Sequence, residues 1–150
     1  MRDTVLPFLR SVQPNDYSCG VHAVKSVFNY YGMEETPDVL EYYLGTDVED
    51  GTNERQMART IRFYGLGCRP LQFWGRASLD KLRDAIDDGQ PVIVALDSDD
   101  HWGVVHGYGY SKDDEYIYLM DPDPEIEDER FSAEEFLERW DGWGMRVYAR

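Results

Sequence analysis

The chain carries one cysteine in a setting typical of a nucleophile. Cys19 precedes Gly20 at the start of a helical pattern, whereas Cys68 begins an apolar, strand-like run. The free N–H groups and the dipole at a helix N-terminus favour a negative charge, so they favour the reactive thiolate. We therefore expect Cys19 to be the nucleophile of a cysteine–histidine site, with Gly20 allowing backbone and substrate to approach closely, and Cys68 to be a buried apolar residue.

A thiolate nucleophile needs an imidazole brought close by the fold, and the chain has three histidines, His22, His101 and His106. His101 opens a predicted strand, where its side chain can face a cleft. His106 follows five positions later, and successive side chains alternate between the two faces of a strand. Only one of these two can then point at Cys19, and we predict that it is His101.

Two further side chains complete the predicted site. Asp121 ends the strand that follows the one begun by His101, and the polar turn 111–114 between the strands predicts a hairpin. A hairpin brings the start of one strand beside the end of the other, so the Asp121 carboxylate is expected to orient the imidazole. Gln13 lies six positions before Cys19 and can offer a side-chain amide to an oxyanion, together with the backbone N–H of Cys19.

The elements that must position these residues fall into a helical first half and a strand-rich second half. The predicted helices span residues 19–31, 37–44, 53–64, 78–88 and 132–140, and the predicted strands span 68–74, 91–96, 101–110, 115–120 and 144–149. This order favours an α+β fold over an alternating parallel one. A chain of 150 residues suits one domain, residues 1–150.

Charge and hydropathy narrow the possible partners and the location. The formal net charge of -15 disfavours nucleic acid, because phosphate contacts need clustered lysine and arginine. A basic peptide or a protein partner suits an acidic surface, which also simply keeps a protein soluble. The chain has no run long enough for a membrane span, and MRDTVLPFLR lacks a signal-peptide core, so we expect a cytoplasmic protein. A Cys19–Cys68 disulfide is then disfavoured, although the sequence leaves it open.

Metal-binding alternatives have less support. Cys19 and His22 are one helical turn apart, as in a zinc-binding pair, but zinc needs two more ligands and no second pair of that spacing occurs. The acidic stretch 121–129 lacks the spaced ligands and the glycine of a calcium loop. We therefore expect no metal and no cofactor, and we expect His22 and His106 to be packing residues.

Three stretches together resemble the bacteriocin-processing, double-glycine leader cysteine peptidases. They are QPNDYSCGVHAVKSVFNYYG, HWGVVHGYG and YLMDP, in which Gln13, Cys19, His101 and Asp121 fall on the positions of the family pattern. The resemblance covers most of the chain. It implies a papain-like α+β fold, cleavage of a peptide bond after a pair of small residues, and a transporter or a precursor peptide as partner.

The chain departs from that family pattern on both sides of the cysteine. Val21 stands where the family usually has proline, and Ser18 stands where it often has aspartate. An alternative to a peptidase is a domain that keeps the fold, has lost turnover and binds a peptide or a protein partner. Against this alternative, no position of the predicted site is visibly replaced.

Overall fold

A computed structural model of the chain describes residues 2–98 and 101–150. Within these ranges the chain forms five helices and seven strands. In chain order they are β1 (Arg2–Val5), α1 (Cys19–Tyr30), α2 (Pro37–Leu44), α3 (Glu54–Phe63), β2 (Leu66–Pro70), α4 (Leu79–Asp87), β3 (Val92–Leu96), β4 (His101–Ser111), β5 (Asp114–Met120), β6 (Arg130–Ser132), α5 (Ala133–Arg139) and β7 (Trp140–Ala149).

The strands form one antiparallel sheet in the order β2-β7-β3-β4-β5-β6, and β1 pairs with the second half of β4. One face of the sheet packs against α1, α2 and α3, and the other packs against α4 and α5. The fold is thus α+β, as predicted, with helices on both faces of the sheet. None of the described helices is long and apolar enough to cross a membrane.

The start of α1 leaves its backbone donors without a side-chain cap. Ser18 occupies the N-cap position, but its hydroxyl is directed to the carbonyl of Asn15 at 3.4 Å instead of to a backbone N–H of the helix. The first turn also contains no acidic side chain. The N–H groups of this turn therefore remain available to a negative charge at Cys19, the first residue of the helix.

The predicted hairpin is confirmed as β4 and β5. Ser111 pairs with Asp114, so the turn consists of Lys112 and Asp113, and Lys112 adopts a left-handed conformation with φ of 57°. The pairing shifts by one residue at His106, which forms a β-bulge. The register brings the start of β4 next to the end of β5.

Two predicted strands have different limits in the structure. The strand predicted for 68–74 runs from Leu66 to Pro70, because the chain leaves β7 after Leu71 and turns at Gly75, where φ is 73°. Phe73 and Trp74, which prolonged the apolar run, are therefore exposed. The last strand begins at Trp140, directly after α5, because Trp140 already pairs with Leu96 of β3. Strands β1 and β6 were not predicted.

Candidate active site

The end of β5 and the start of β4 hold Asp121 and His101 side by side. His101 Nε2 donates to Asp121 Oδ1 at 2.5 Å, and the carboxylate is fully buried. Asp121 Oδ1 also accepts the backbone N–H of Asp123 at 2.9 Å. These contacts fix both the rotamer of the carboxylate and the plane of the imidazole ring.

The thiol of Cys19 lies close enough to the same imidazole to help raise the pKa of His101. Because His101 Nε2 is occupied by Asp121, Nδ1 is the ring nitrogen left for the sulfur. Cys19 is largely buried, yet it lines an open cleft. The fold thus brings together the first residue of α1, the first residue of β4 and the residue after β5.

Electrostatics favour the charged form of His101. Burial by itself would lower the pKa of His101, but its hydrogen bonds to Asp121 and Cys19 and the charges of both partners outweigh burial and raise the pKa to about 10. The imidazole is therefore an imidazolium at neutral pH. Such a cation between a carboxylate and a sulfur is the arrangement in which a thiolate is stabilised.

Arg139 is a neighbour of Asp121 that the sequence analysis did not identify. Its Nη2 donates to Asp121 Oδ2 at 2.9 Å, and its Nε and Nη2 also bind the carboxylate of Asp97 at 3.0 and 2.9 Å. Burial would raise the pKa of Asp121, but the bonds from His101, Asp123 and Arg139 hold it below its usual range. The only sequence signal was a basic residue in the last turn of a predicted helix, which is common.

Gln13 lies in a segment that is hydrogen-bonded to the loop that follows Asp121. Its backbone N–H donates to the carbonyl of Pro122 at 2.8 Å, while its side-chain Nε2 donates to the carbonyl of Asn15 at 2.6 Å. The side chain is buried, and its Oε1 accepts no hydrogen bond from the described residues. The amide nitrogen carries two N–H groups, of which Asn15 takes one.

Arg10 reinforces this attachment. Its side chain donates to three backbone carbonyls, those of Asp121 at 3.3 Å and of Asp123 and Ile126 at 2.7 Å. We call residues 10–13 the N-terminal strap. The strap therefore supports the loop that carries Asp121 and also positions Gln13.

A cleft of about 340 Å³ opens beside Cys19. One wall is Trp102, whose Nε1 donates to the carbonyl of Thr52 at 2.8 Å and so fixes the loop opposite. Gly20 was expected to let both the backbone and a substrate approach closely, and the structure shows a close approach of neighbouring elements of the chain. A Cβ atom on Gly20 would lie 2.9 Å from Met57 Cε and from Thr52 Cβ, so glycine allows this loop and α3 to pack closely on α1.

The cleft beside Cys19 is acidic. Asp16, Glu49 and Asp50 line it, and no lysine or arginine is among its described lining residues. A ligand side chain that enters here meets a negative potential.

The other candidate residues lie apart from this group. His22 Nδ1 is 2.7 Å from the Ser11 hydroxyl, and burial, followed by the charge of Lys25, lowers the pKa of His22. His106 stacks on the ring of Phe8 with centroids 5.1 Å apart, and burial lowers its pKa to about 4. Both histidines are buried, and the ring nitrogens of His106 have no hydrogen-bond partner among the described residues.

The two cysteines differ in their surroundings. Both are free, so the disulfide that the sequence left open is not formed. Cys68 lies inside β2, where burial raises the pKa of its thiol. Cys68 therefore has the environment of an unreactive core residue.

Comparisons with known proteins identify the family of this chain. The model of the Peptidase_C39 like family matches residues 5–147. The lactococcin-A transport/processing ATP-binding protein LcnC of Lactococcus lactis subsp. lactis is 26% identical over 133 residues, which cover 87% of this chain and 17% of that protein. This chain thus spans about a sixth of that relative.

Solved structures share the fold. A double glycine motif protease from an AMS/PCAT transporter, in complex with its leader peptide, superposes with a TM-score of 0.78 at 20% identity, covering 100% of this chain and 99% of that one. The peptidase domain of Streptococcus ComA, from an ABC transporter of a quorum-sensing pathway, gives a TM-score of 0.73 at 20% identity over 93% and 97%. The fold is therefore that of papain-like C39 peptidase domains. Since the family model covers nearly the whole chain, this protein belongs to the Peptidase_C39 like family.

Proposed function

We propose that this protein is a cysteine peptidase that cleaves a leader-type peptide, with Cys19 as nucleophile, His101 as acid and base, and Asp121 as the residue that orients His101. One observation carries the proposal. His101 Nε2 is hydrogen-bonded to Asp121, the Cys19 thiol lies close enough to His101 to help raise the pKa of the imidazole, and Cys19 is the first residue of an uncapped helix. This is the geometry that nucleophilic catalysis by a thiol requires.

In the first half of the reaction, the Cys19 thiolate attacks the carbonyl carbon of the scissile bond. The electron pair of the C=O bond moves to oxygen and forms a tetrahedral oxyanion. The imidazolium of His101 then gives its proton to the leaving amine, the C–N bond breaks, and a thioester to Cys19 remains.

In the second half, neutral His101 accepts a proton from water while the water oxygen attacks the thioester carbonyl. Collapse of the second oxyanion breaks the C–S bond and restores the thiolate and the imidazolium. In both halves the backbone N–H of Cys19 and one N–H of Gln13 are the proposed oxyanion donors. Asp121 stays ionised throughout and stabilises the charged imidazole.

A peptide with a leader segment is the proposed substrate. The related double glycine motif protease is described with a leader peptide, and the related LcnC protein is named for transport and processing. We therefore propose cleavage after a pair of small residues, and a transporter or a precursor peptide as the partner. The acidic lining next to Cys19 disfavours acidic side chains directly beside the scissile bond.

Two measurements test the proposal. A fluorogenic peptide with a Gly-Gly pair should be cleaved by the native protein and by Cys68→Ser, whereas Cys19→Ala and His101→Ala should lower kcat by at least about 10³-fold. Iodoacetamide at neutral pH should label Cys19 and leave Cys68 unmodified, and His101→Ala should slow the labelling. Equal, slow labelling of both thiols, together with binding of the peptide without cleavage, would instead identify a binding domain without turnover.

A further inference from the structure

A buried histidine of α1 has a polar partner outside the helix. His22 and Ser26 are polar residues among the buried residues of α1, most of which are apolar. The hydroxyl of Ser26 donates to the carbonyl of Ala23 at 2.7 Å and so forms its hydrogen bond within the helix. His22 Nδ1 instead lies 2.7 Å from the hydroxyl of Ser11 in the N-terminal strap. A packing role accounts for the burial of His22, but not for this hydrogen bond.

The strap shows alternating burial along its sequence. Ser11 and Gln13 are buried, whereas Val12 between them is 42% exposed. In an extended segment such alternation places Ser11 and Gln13 on the same side. Val12 adds little apolar contact that could hold the strap in place, so the position of the strap depends on its polar bonds.

The polar bonds of the strap lead to two different parts of the fold. The side chain of Arg10 and the backbone N–H of Gln13 bind the loop that follows Asp121. The bond between Ser11 and His22 leads to α1, and among the hydrogen bonds of the described residues it is the one that joins the strap to this helix. The strap therefore bridges the loop and α1.

The bond to His22 lies close to the nucleophile in the sequence and along the helix. His22 follows Cys19 by three residues, which is about 4.5 Å along the axis of an α-helix. Gln13 follows Ser11 by two residues, and two residues of extended chain span at most about 7 Å. A bond between Ser11 and His22 thus limits how far Gln13 can move relative to the first turn of α1.

Burial favours a permanently formed bond. Ser11 and His22 are 9% and 5% exposed, so neither polar group can exchange its partner for bulk water without a local opening of the structure. A buried polar group that loses its partner is strongly destabilising, since it has given up its hydration as well. The bond is therefore a rigid link between the strap and α1 in the folded protein.

We propose that the hydrogen bond between Ser11 and His22 positions the side-chain amide of Gln13 for the oxyanion that forms at Cys19. The proposal rests on the proposed function, in which Gln13 is an oxyanion donor. Such a donor is effective because it is held in place before charge develops, and a displacement of about 1 Å can cost about 10²-fold in rate. Ser11 and His22 are then positioning residues, which act through Gln13 and not through contact with the substrate.

Cleavage of a fluorogenic Gly-Gly peptide by single variants tests the proposal. Ser11→Ala and His22→Leu each remove one partner of the bond and should lower kcat about tenfold with little change in KM. His22→Asn should recover at least part of kcat, because its amide places a polar atom close to the position of Nδ1. Ser26→Ala is the matched control, a buried polar residue of the same helix whose bond stays within α1, and it should keep the native kcat.

A double-mutant cycle separates positioning from a general loss of structure. The donor is already absent in Gln13→Ala, so Ser11→Ala should cause little further loss of kcat in that background. Independent losses that multiply in Ser11→Ala/Gln13→Ala would overturn the proposal. A native kcat in both Ser11→Ala and His22→Leu would also overturn it, and so would a rise in KM with kcat unchanged.

Hydrogen exchange gives a measurement that does not depend on activity. The backbone N–H of Gln13 donates to the Pro122 carbonyl, so its rate of exchange with deuterium reports whether the strap stays in place. Exchange should be faster in Ser11→Ala and His22→Leu than in the native protein and in Ser26→Ala.

The two measurements keep the two proposals distinct. If the native protein cleaves no peptide but exchange at Gln13 depends on Ser11 and His22, the proposed peptidase activity fails, and the attachment of Gln13 through this bond stands. If the peptide is cleaved and neither kcat nor exchange responds to Ser11→Ala and His22→Leu, the positioning proposal fails and the peptidase proposal stands.

Discussion

Arg139 Nη2 donates to Asp121 Oδ2 at 2.9 Å, and this is the carboxylate oxygen that His101 leaves free. Asp121 is thus held from two sides by two cationic groups, although its side chain is fully buried. His101 and the backbone N–H of Asp123 both bind Oδ1, and Arg139 adds the contact that holds Oδ2. In the proposed site, Arg139 therefore helps to keep Asp121 in the position from which it would orient the imidazole.

Replacement of Arg139 should therefore reduce both stability and activity. We expect Arg139→Met to lower the free energy of unfolding by about 1–3 kcal/mol, because a buried carboxylate loses a charged donor. We expect kcat/KM to fall about tenfold, since Asp121 is less well fixed. The alkaline limb of the pH profile of kcat/KM should move to higher pH, because Arg139→Met removes a positive charge that opposes protonation of His101.

Urea unfolding and the pH dependence of peptide cleavage measure these effects. Arg139→Lys should restore part of the stability. Arg83→Met is the control, because Arg83 also binds two carboxylates, those of Asp80 and Glu115, but away from the site. The orienting role of Arg139 is excluded if the two methionine variants show the same pH profile.

Neutralising Asp121 should move the alkaline limb of the pH profile to lower pH. The carboxylate helps to raise the pKa of His101 to about 10, so in Asp121→Asn we expect the pKa of His101 to fall toward 6.5. The imidazolium, and with it the fast alkylation of Cys19, should then be lost at a lower pH. The rate of iodoacetamide labelling between pH 5 and 11 measures this shift.

The same change alters the pH dependence of stability. A raised pKa of His101 contributes stability that is complete below about 6.5, the value of an unperturbed histidine, and is lost as the pH rises through about 10. In Asp121→Asn this alkaline loss of stability should be smaller. Asp88→Asn is the control, since Asp88 pairs with Arg146 and does not contact His101. If Asp121→Asn loses as much stability at alkaline pH as the native protein does, Asp121 is not the cause of the raised pKa of His101.

Loss of the Gln13 amide should affect the transition state more than substrate binding. We expect Gln13→Ala to lower kcat by about 10²–10³-fold with little change in KM, the usual cost of one oxyanion donor. The backbone bond from Gln13 to Pro122 does not depend on the side chain, so the fold should persist. Gln72→Ala, on an exposed residue, is the control. A rise in KM with kcat unchanged would assign Gln13 to substrate binding instead.

Gly20→Ala should reveal the close packing of α1 on the Thr52 loop. Alanine favours a helix over glycine by about 1 kcal/mol, whereas overpacking costs about 1–3 kcal/mol. The new methyl group would meet Thr52 Cβ and Met57 Cε at 2.9 Å, and only the methionine end can move easily. We therefore expect a net loss of stability in thermal unfolding, together with lower activity. A stabilised variant would show that the loop can shift without cost.

The parts of the site that follow local sequence rules were predictable. His101 and Asp121 are 20 positions apart but belong to one hairpin, whose turn residues set the register. The place of Cys19 at the start of a helix followed from apolar periodicity. The approach of Cys19 to His101 joins distant parts of the chain. Strand alternation selected His101 over His106 and the family resemblance implied the same pair, but no local pattern could fix the approach itself.

The contacts that were missed connect common residue types over long separations. Arg139 reaches Asp121 from the end of α5, and Trp102 reaches Thr52 across 50 positions. The spacing along the sequence does not distinguish Arg139 from a solvated arginine, or Trp102 from a core tryptophan. Strands β1 and β6 have only four and three residues, and pairing with neighbours makes them strands, not their own periodicity.

The N-terminal strap connects two parts of the proposed site. The strap contains Gln13 and is hydrogen-bonded to the loop after Asp121. The backbone N–H of Gln13 binds the Pro122 carbonyl, and Arg10 binds three further carbonyls. A protease that cut within the strap, or a binding protein that displaced it, would disturb the proposed oxyanion donor and the loop after Asp121 together. Cys19, His101 and Asp121 would themselves stay chemically intact.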